Sequence, residues 1–389
     1  MFFSLNQSVL IAMLPSLNTA LQLPFQPEQS SLTSILSLLM YLSFILFIFF
    51  GQKIQLRMML WEIDGVIKRL SLMRNRAREL SLETIKRIGK PKDDPSPTLD
   101  TLLEQFIIQP VDLDPAGIVW KLDHILDVRE SRFKDEIRLI APEASEPELN
   151  NLENLVEATL ALNTIYRVLR HYYLLGKKTS SYYIVLQLQM LLPLVMQEAE
   201  AMVEATKAFS QGQPIGDGIG PLVAAKLMMG LEKRPMEKDM VASETTLEGR
   251  KLIVLKAEGP GGNVGKPGDA IRRLLEESNG DVSMVIMVDA ALKFEGEKSG
   301  DISEGVGAAI GGIGTERFKI EEEVKKFNIP IYAIIVKESI QEAITPMRKA
   351  IADSVDQVIQ RVKRLTQQRT KPGDTIILAG IGNTIGIGQ

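Results

Sequence analysis

The sequence predicts an α/β protein with an N-terminal transmembrane helix, a helical middle domain and a C-terminal parallel-sheet α/β domain. Three observations lead to this prediction: an uncharged apolar stretch near the N-terminus, helical periodicity as far as residue 211, and short β-branched runs that alternate with helical stretches thereafter. We divide the chain into an N-terminal segment with its anchor, a juxtamembrane helix with its linker, a helical domain and an α/β domain, at residues 1–51, 52–96, 97–211 and 212–389.

The anchor is the segment from Gln29 to Gln52, which contains no charged residue. Its apolar part, Leu32 to Phe50, is long enough for a bilayer, because about 20 helical residues cover the ~30 Å hydrocarbon core. A buried helix of a soluble protein is the alternative, but such a helix usually keeps a polar stripe. The sequence therefore predicts that the lipid bilayer is a partner of this chain.

The charges on either side of the anchor predict its direction. Residues 1–30 contain no Lys or Arg, whereas bases follow the anchor at Lys53, Arg57, Lys68, Arg69, Arg74, Arg76 and Arg78. Because Lys and Arg collect on the cytoplasmic side of membrane helices, we expect a single-pass protein of the cell membrane with its N-terminus outside and its bulk cytoplasmic. Residues 1–26 are uncharged and contain Pro15 and Pro24. They could form an external interfacial helix, which we favour, a re-entrant segment or a second span.

The residues after the anchor predict a mostly helical region. Apolar residues recur at helical intervals from Ile54 to Leu80, which favours a long juxtamembrane helix with a face for coiled-coil pairing. The Pro-rich stretch from Gly89 to Pro97 predicts a linker. Further helices are predicted at 102–107, 118–126, 133–140, about 147–175 and 181–209, with a turn at Asp112–Pro115.

Four β-branched runs predict strands in the last domain, at Lys251–Lys256, Val282–Val288, Ile331–Val336 and Thr375–Ala379. Helical stretches lie between them at 268–278, about 316–327 and 339–369, the last beginning with a capping box of Ser339 and Glu342. Strands that alternate with helices are typical of a parallel sheet with right-handed crossovers.

The composition excludes several kinds of chemistry. The chain has no cysteine, which excludes disulfides, thiolate nucleophiles and Cys-ligated metals, and it has only two histidines. A formal net charge of -4 and a pI near 5.6 are untypical of nucleic-acid-binding domains, which normally carry a basic face. We therefore expect no nucleic acid among the partners.

Glycine-rich segments follow three of the predicted strands, at 258–268, 296–314 and 380–386. The carboxyl ends of parallel strands share one edge of the sheet, which is where open α/β sheets bind their ligands. Glycine lets backbone N–H groups approach an anion, and a helix N-terminus adds positive partial charge, so we expect a phosphorylated small molecule or nucleotide at this edge. The predicted ligand-binding residues are Gly259, Gly261, Gly262, Asn263, Lys266, Gly311, Gly312, Gly382, Asn383 and Thr384.

No complete phosphate-binding motif accompanies these glycines. The sequence lacks the G-K-[ST] ending of a P-loop and a clean G-x-G-x-x-G fingerprint. Glycine-rich turns could instead connect elements or pack subunits, and the small, apolar segment from Gly305 to Gly314 permits close backbone packing.

Acidic residues accompany the second glycine-rich segment. Asp289 ends a predicted strand, and Glu295 and Glu297 follow it. Two or three converging carboxylates could hold Mg²⁺ against a phosphate, since this ion accepts few protein ligands and keeps waters. The sequence leaves the cofactor open, with Mg²⁺ at Asp289, Glu295 and Glu297 as the candidate. A solvated loop is the alternative and the more common origin of such a run, because Lys293 and Lys298 alternate with the acids.

Four motifs of the chain are distinctive: Pro110–Pro115, Gly216–Gly220, Ala257–Gly262 and Lys293–Gly300. Together with the anchor they resemble an uncharacterised archaeal family of membrane-anchored proteins, known as a domain of unknown function. The resemblance covers most of the chain. It implies an archaeal source, and it supplies no catalytic residues.

Two shorter similarities concern single motifs. Asp289-Ala-Ala291 followed by Gly314-Thr-Glu-Arg-Phe318 is similar to the paired motifs of diadenylate cyclases, but a glycine and a His-Arg pair of those motifs are missing here. The similarity implies diadenylate cyclase activity. The missing glycine and the missing His-Arg pair argue against this activity. Gly216–Pro221 is similar to a short motif of isocitrate and isopropylmalate dehydrogenases, whose other active-site residues are missing, so we assign it no role.

The sequence leaves two functions open. The first is a membrane-anchored cytosolic α/β module, homo-oligomeric, that binds a phosphorylated small molecule or nucleotide at its glycine-rich loops as an enzyme or a sensor. The second is a non-catalytic homo-oligomeric membrane scaffold, which the apolar face of residues 54–80 and the scarcity of catalytic residue types favour. The two are compatible, since tethered subunits could also bind a ligand between them.

Overall fold

The computed structural model describes residues 31–108, 110 and 117–388. The chain divides into two compact units, Met1–Leu60 and Trp61–Gln389. The segment predicted to lie in, on or across the membrane at residues 1–26 falls outside the described residues, as does the turn predicted at Asp112–Pro115.

The longest described element is helix α1, Ser31–Gly89, which contains the apolar part of the predicted anchor, Leu32 to Phe50, and the predicted juxtamembrane helix. Among the described residues, no single helix is both long and apolar enough to cross a membrane. The two parts of α1 on either side of a 56° bend, Ile35–Ile45 and Phe50–Gly89, reach the required length and apolarity only as a pair. The transmembrane helix therefore stays a prediction.

Four more helices form the helical region: α2 Ser96–Leu102, α3 Ile118–Ile140, α4 Glu146–Thr179 and α5 Tyr182–Gln211. The structure confirms the two long helices predicted near 147–175 and 181–209, and it joins the two predicted at 118–126 and 133–140 into α3. The helix predicted at 102–107 is wrong, because α2 instead ends at Leu102. Its start beside Pro95 and Pro97 is favourable, since proline suits the first turn of a helix.

One hydrophobic core holds these helices together. Its buried members come from all five of them and include Ile85, Leu99, Phe133, Leu152 and Ala205. Ile215 and Ile385, from the C-terminal part of the chain, belong to the same cluster. The helical region and the sheet region of Trp61–Gln389 are therefore packed against each other through a shared core.

The C-terminal region contains a seven-stranded sheet in the order β1-β2-β3-β7-β4-β6-β5. The strands are β1 Arg234–Pro235, β2 Met240–Leu247, β3 Arg250–Ala257, β4 Met284–Leu292, β5 Ile302–Val306, β6 Ile331–Glu338 and β7 Thr375–Gly380. The four inner strands β3, β7, β4 and β6 run parallel, and they are the four that the sequence predicts.

The prediction of a wholly parallel sheet is wrong at both edges. Strands β1 and β2 extend one edge and β5 the other, all through antiparallel pairing. Strands β2 and β3 form a hairpin whose turn residues Glu248 and Gly249 both have positive φ, as a tight hairpin turn of this hand requires. Strand β5 lies inside the predicted glycine-rich loop at 296–314, and its Gly305 hides the strand pattern in the sequence.

Helices cover both faces of the sheet. A 3₁₀ turn, Gly216–Gly218, leads into α6, Ile219–Met228, which packs with α11, Val355–Arg369, on one face. The other face carries α7, Pro267–Glu277, and α8, Thr315–Lys326.

The single helix predicted at 339–369 is wrong. The structure divides it into α9 Ile340–Ile344, α10 Lys349–Ala352 and α11. Pro346 is the reason, because the residue before a proline is disfavoured in helical conformation, and Thr345 is extended here. The predicted capping box at Ser339 and Glu342 is confirmed, at the start of α9.

Candidate functional site

A cavity of about 280 Å³ lies at the carboxyl ends of the inner strands. We call it the edge cavity. It is lined by three acids, Asp217, Asp289 and Glu316, by the loop of residues 310–314 with the start of α8, and by loop residues from two other strand ends, including Gly265 and Gly382. The structure therefore brings together parts of all three glycine-rich segments that the sequence predicts at one edge.

Asp217 and Asp289 have few internal partners, whereas the third acid of the edge cavity, Glu316, pairs with Lys319 at 2.9 Å. Asp289 lies near the end of β4, is 6 % exposed, and accepts a hydrogen bond from the Ala290 N–H at 2.8 Å. Asp217 lies in the 3₁₀ turn, keeps partial accessibility because it lines the cavity, and accepts from the Asn383 N–H at 2.7 Å. Neither carboxylate has a salt bridge to a base in the described part of the chain.

Burial perturbs both acids. It raises the pKa of Asp289 well above its usual range, and repulsion from Asp217 adds to the shift, whereas the Ala290 N–H opposes it. Burial also raises the pKa of Asp217, and the hydrogen bond from the Asn383 N–H opposes this shift. Arg317 attracts the charge of Asp289 without forming a salt bridge to it, so protons or a bound cation would relieve the remaining repulsion between the two acids.

Closely spaced glycines place Asp217 over the strand ends. A Cβ on Gly220 would lie 2.2 Å from the Ile381 carbonyl oxygen and 2.3 Å from that of Val288, and a Cβ on Gly218 would lie 2.9 Å from the Asn383 oxygen. The start of α6 therefore contacts β4 and the segment after β7 backbone to backbone. Only glycine permits this approach, which brings the carboxylate of Asp217 beside that of Asp289.

The loop before α8 offers unused hydrogen-bond donors. Within the described residues, no backbone N–H from 311 to 315 donates a hydrogen bond to the protein. Space is open around the Cα atoms of Gly311 and Gly312, and Gly314 has a φ of 101° that favours glycine. Residue Thr315 begins α8, whose N-terminal amides also point away from the helix. These donors, together with the helix dipole, make a favourable environment for an anion.

The first glycine-rich loop, residues 258–268, differs in that several of its N–H groups donate within the protein. The Gly262 N–H donates to Asn151 of α4 at 2.8 Å, and the Gly265 N–H donates to the Asn263 side chain at 2.8 Å. A Cβ on Gly259 would lie 2.0 Å from the Ile387 oxygen, and one on Gly261 would lie 2.7 Å from Pro147. These glycines pack against protein, and the role predicted for them in ligand binding stays untested.

Lys266 is held in an ion network. Its ammonium lies 2.5 Å from Asp127 and 3.5 Å from Asp123 of α3. Asp123 also pairs with the buried Lys319 of α8 at 2.8 Å, and Lys319 contacts Asp269 of α7 at 3.1 Å. Lys266 therefore lies between α3 and the starts of α7 and α8 rather than on a free loop.

The third glycine-rich segment contributes two residues, Ile381 and Gly382, to the edge cavity and two to the packing around it. Gly382 lines the cavity, with a φ of 130°. The Thr384 hydroxyl lies within 3.0 Å of the carbonyl oxygens of Glu258, Gly261 and Asn263, and the Asn383 amide donates to Asn154 at 2.9 Å. Asn383 and Thr384 therefore fix the first loop against α4.

Of the predicted metal ligands, only Asp289 lies in the edge cavity. Glu297 forms an ion pair with Lys337 and accepts from the Phe294 N–H at 2.8 Å, and Glu295 is exposed. No cluster of three or more His, Asp or Glu side chains suited to a metal ion occurs in residues 31–108, 110 and 117–388. The structure thus brings Asp289 together with Asp217, not with Glu295 or Glu297.

Two family models match this chain. The N-terminal domain of a protein of unknown function (DUF1512) matches residues 37–212, and the C-terminal DUF1512 domain of unknown function matches residues 215–388. The chain belongs to the DUF1512 family. Membership of a family of unknown function, which the four motifs indicate, is thereby confirmed. A comparison with curated proteins finds no match.

The edge cavity of this DUF1512 protein lies wholly within the C-terminal match, 215–388. Sequence reasoning missed Asp217 there, although Gly216-Asp-Gly-Ile-Gly220 contained the signal. Glycine at every second position indicates a backbone that approaches another backbone, and the acid between them is then held close to the contact.

Glu338, the last residue of β6, is a second acid that sequence reasoning missed. It is 2 % exposed, and neither carboxylate oxygen has a hydrogen-bond partner among the described residues of the DUF1512 chain. Burial raises the pKa of Glu338 to about 8, with repulsion from Asp217 and Glu342 adding to it. Near neutral pH it therefore holds a proton behind the edge cavity.

Proposed function

We propose that this DUF1512 protein binds a phosphorylated small molecule or nucleotide, together with Mg²⁺, in the edge cavity. The observation that supports this proposal is that unused N–H donors at 311–315 and two carboxylates without a salt bridge, Asp217 and Asp289, line a single cavity. A phosphate needs donors, and a carboxylate pair needs a cation. A phosphate ligand bound together with Mg²⁺ would supply acceptors for the N–H groups and positive charge for the carboxylates.

Asp217 and Asp289 would hold the metal ion in this proposal. Mg²⁺ is usually bound by one or two carboxylates and completes its octahedral shell with phosphate oxygens and water, so two acids are sufficient. When bound, the ion would supply positive charge between carboxylates and phosphate. The N–H groups of 311–315 and the N-terminus of α8 would orient the phosphate. The same arrangement serves an enzyme or a sensor.

Nucleotides are the favoured subclass of ligand. The two motifs similar to those of diadenylate cyclases contribute Asp289 on one side and Gly314 with Thr315 on the other side of the same cavity. Their meeting supports a nucleotide, although the missing His-Arg pair leaves the cyclase reaction itself without support.

Calorimetric titration of the detergent-solubilised full chain tests the proposal. The probes are ATP and pyrophosphate, each with and without Mg²⁺. We expect saturable binding of at least one probe that strengthens with Mg²⁺. Asp217→Asn and Asp289→Asn should each weaken the Mg²⁺-dependent binding by about tenfold or more, because each removes one of only two metal-binding carboxylates.

Glu297→Gln is the matched control, since it removes the same charge from an acid that the sequence predicts as a ligand but that lies outside the cavity. Its affinity should stay within about twofold of the parent. Absence of saturable binding by both probes, or unchanged binding in both Asp variants, would contradict the proposal.

We also propose that the chain is anchored in the cell membrane as a single-pass protein, with its N-terminus outside and its bulk in the cytoplasm. The uncharged stretch from Gln29 to Gln52 and the bases that follow it support this topology. The archaeal source that the motif resemblance implies belongs to the same proposal.

Alkaline extraction of native membranes tests the anchor. We expect the protein to stay in the pellet, and a protease added to sealed right-side-out vesicles should leave the C-terminal domain intact. Release into the alkaline supernatant would reject the anchor, and digestion in sealed vesicles would reverse the topology.

A homo-oligomeric scaffold remains the second candidate function. Helix α5 carries exposed apolar side chains on one face, at Tyr183, Met190, Leu191 and Leu194, of which Met190 is 73 % exposed. Exposed apolar faces of this kind commonly mark interaction surfaces. Light scattering of the solubilised protein should give a mass above that of one chain, and Met190→Glu should lower it, whereas Asn75→Glu, on exposed α1, should not. A monomer at all concentrations would exclude self-association.

A further inference from the structure

A second cavity of about 280 Å³ lies between the helical region and the first glycine-rich loop. We call it the helix-side cavity. Its walls are formed by α3, by α4, by the turn between β1 and β2, and by the loop of residues 262–266. Gly265 also lines the edge cavity, so one loop separates the two. The helix-side cavity is lined by different acids, and the proposed phosphate site does not use it.

The bases of the helix-side cavity are already paired. Each of its four cationic side chains has an acidic partner: Arg129 pairs with Glu157 at 2.8 Å, Lys134 with Glu146 at 3.2 Å, Lys238 with Glu130 at 2.8 Å, and Lys266 with Asp127 at 2.5 Å. An anionic ligand would therefore have to displace an existing ion pair. The helix-side cavity thus differs in character from the edge cavity.

Two acids of the same cavity are unpaired. Within the described residues, neither Glu153 of α4 nor Asp239 of the β1–β2 turn has a salt bridge or a side-chain hydrogen bond. Asn150 supplies a further polar side chain to the lining, from the turn of α4 before Glu153. Since every base of the lining is paired and these two acids are not, the charged groups left free for a ligand are carboxylates.

The environment of Glu153 disfavours its charged form. Burial raises its pKa to about 7, and repulsion from Glu157 and Glu130 adds to this, whereas Lys134 and Lys238 oppose it. Arg129 also lines the cavity, but it is held by Glu157. A cation bound beside Glu153 would remove the energetic cost of ionising it.

The size of the cavity favours an organic cation over a metal ion. A volume of 280 Å³ exceeds the room of a single ion, since it equals roughly nine water molecules at ~30 Å³ each. No group of three acids or histidines in the described chain is arranged to hold a metal. A short amine of a few carbon atoms fits the volume, and its ammonium groups can donate several hydrogen bonds to carboxylates and amide oxygens.

We propose that the helix-side cavity binds a small organic cation, an amine with one or two ammonium groups, through the carboxylates of Glu153 and Asp239.

Calorimetry on the solubilised full chain tests this site with 1,4-diaminobutane as the probe. Butane-1,4-diol and succinate are the comparison ligands, because they keep the length of the diamine and change its charge to neutral or negative. We expect saturable binding of the diamine alone. Glu153→Gln should weaken it by about tenfold or more. Asp239→Asn, as a second variant, should weaken it as well, and thermal melts check that both variants fold.

The control variant is Glu83→Gln, which removes an exposed carboxylate of α1 that does not line the cavity. It should bind the diamine as the parent does. Affinity of the parent should also fall below about pH 7, where Glu153 takes up its proton, and this dependence should be absent in Glu153→Gln.

Three results would overturn the proposal: no saturable diamine binding to the parent chain, equal binding of the diol, or unchanged binding in both acid variants. The Asp289→Asn variant separates the two cavities, because it should lose Mg²⁺-dependent phosphate binding and keep diamine binding. The two binding proposals can therefore be accepted or rejected independently of each other.

Discussion

Glu338 departs from the usual behaviour of a glutamate side chain. Buried carboxylates are normally hydrogen-bonded or paired, and this one has neither kind of partner within the described residues. Its neighbours Asp217 and Glu342 are also acids, so ionising Glu338 would add charge to a crowded negative region. The folded protein therefore favours the protonated form, whereas the unfolded chain would release that proton near pH 4.5.

Replacing Glu338 with Gln should change the pH dependence of stability. Between about pH 4.5 and 8 the folded state binds a proton that the unfolded state does not, so the contribution of Glu338 to stability falls as pH rises. At pH 8, Glu338→Gln should therefore unfold at a higher urea concentration than the parent, and its free energy of unfolding should be larger by about 1–3 kcal/mol. Near pH 5 the two proteins should be closer in stability. Urea denaturation at the two pH values measures this.

Glu83→Gln serves as the control for that comparison, because its exposed carboxylate should leave the pH profile unchanged. A Glu338→Gln profile parallel to that of the parent would mean that Glu338 ionises normally in the folded state.

At the scale of elements, the three glycine-rich segments have different structural roles although their composition is similar. In residues 258–268 the Gly262 N–H donates to Asn151 of α4, whereas residues 310–314 lead into α8 and, in the described structure, none of the N–H groups from 311 to 314 donates to the protein. The turn at Gly216–Gly220 belongs with them, since its glycines let α6 approach the strand ends. Glycine content alone therefore does not identify a ligand loop; the partners of the N–H groups do.

Gly220→Ala tests the close approach of α6 to the sheet. The new Cβ would lie 2.2 Å and 2.3 Å from two backbone oxygens, so α6 must move and Asp217 with it. We expect a loss of roughly 2–4 kcal/mol in the free energy of unfolding. Chemical denaturation measures it.

The same substitution at Gly65 is the matched control. Gly65 lies within α1 with open space around the added Cβ, and alanine in a helix is favoured over glycine by about 0.5–1 kcal/mol. Gly65→Ala should therefore be neutral or stabilising. Equal stability of Gly220→Ala and the parent would mean that α6 is not held against the strand ends.

At the scale of the whole molecule, the helical and sheet regions are one folded body within Trp61–Gln389. Core residues from α1 to α5 pack with residues that flank the sheet, and α3 joins α7 and α8 through the network around Asp123 and Lys319. The helix-side cavity lies in this contact region, where α3 and α4 face the first glycine-rich loop. Its ligand would therefore contact both family-matched domains.

A chain truncated to residues 61–389 should fold on its own. All three buried hydrophobic clusters consist of residues beyond position 60, so removing the first unit leaves each core complete. We expect a single cooperative thermal transition within a few degrees of the parent, at about the same enthalpy per residue. Circular dichroism and calorimetry measure both. Aggregation or a non-cooperative melt would show that residues 1–60 are needed for the fold.

The sequence by itself determined the four inner strands, most of the helices and the edge where glycine-rich segments gather, because periodicity and β-branched runs are local properties of the chain. It failed where local patterns were broken, at Pro346 and at the short edge strand β5. Only the tertiary structure decided which acid faces Asp289, since Asp217 is distant in sequence and Glu297 is taken by Lys337. The tertiary structure likewise decided which glycine-rich loop has N–H groups without an internal acceptor and which bases form ion pairs. Hydrogen bonds and ion pairs between distant segments exist only after the chain has packed.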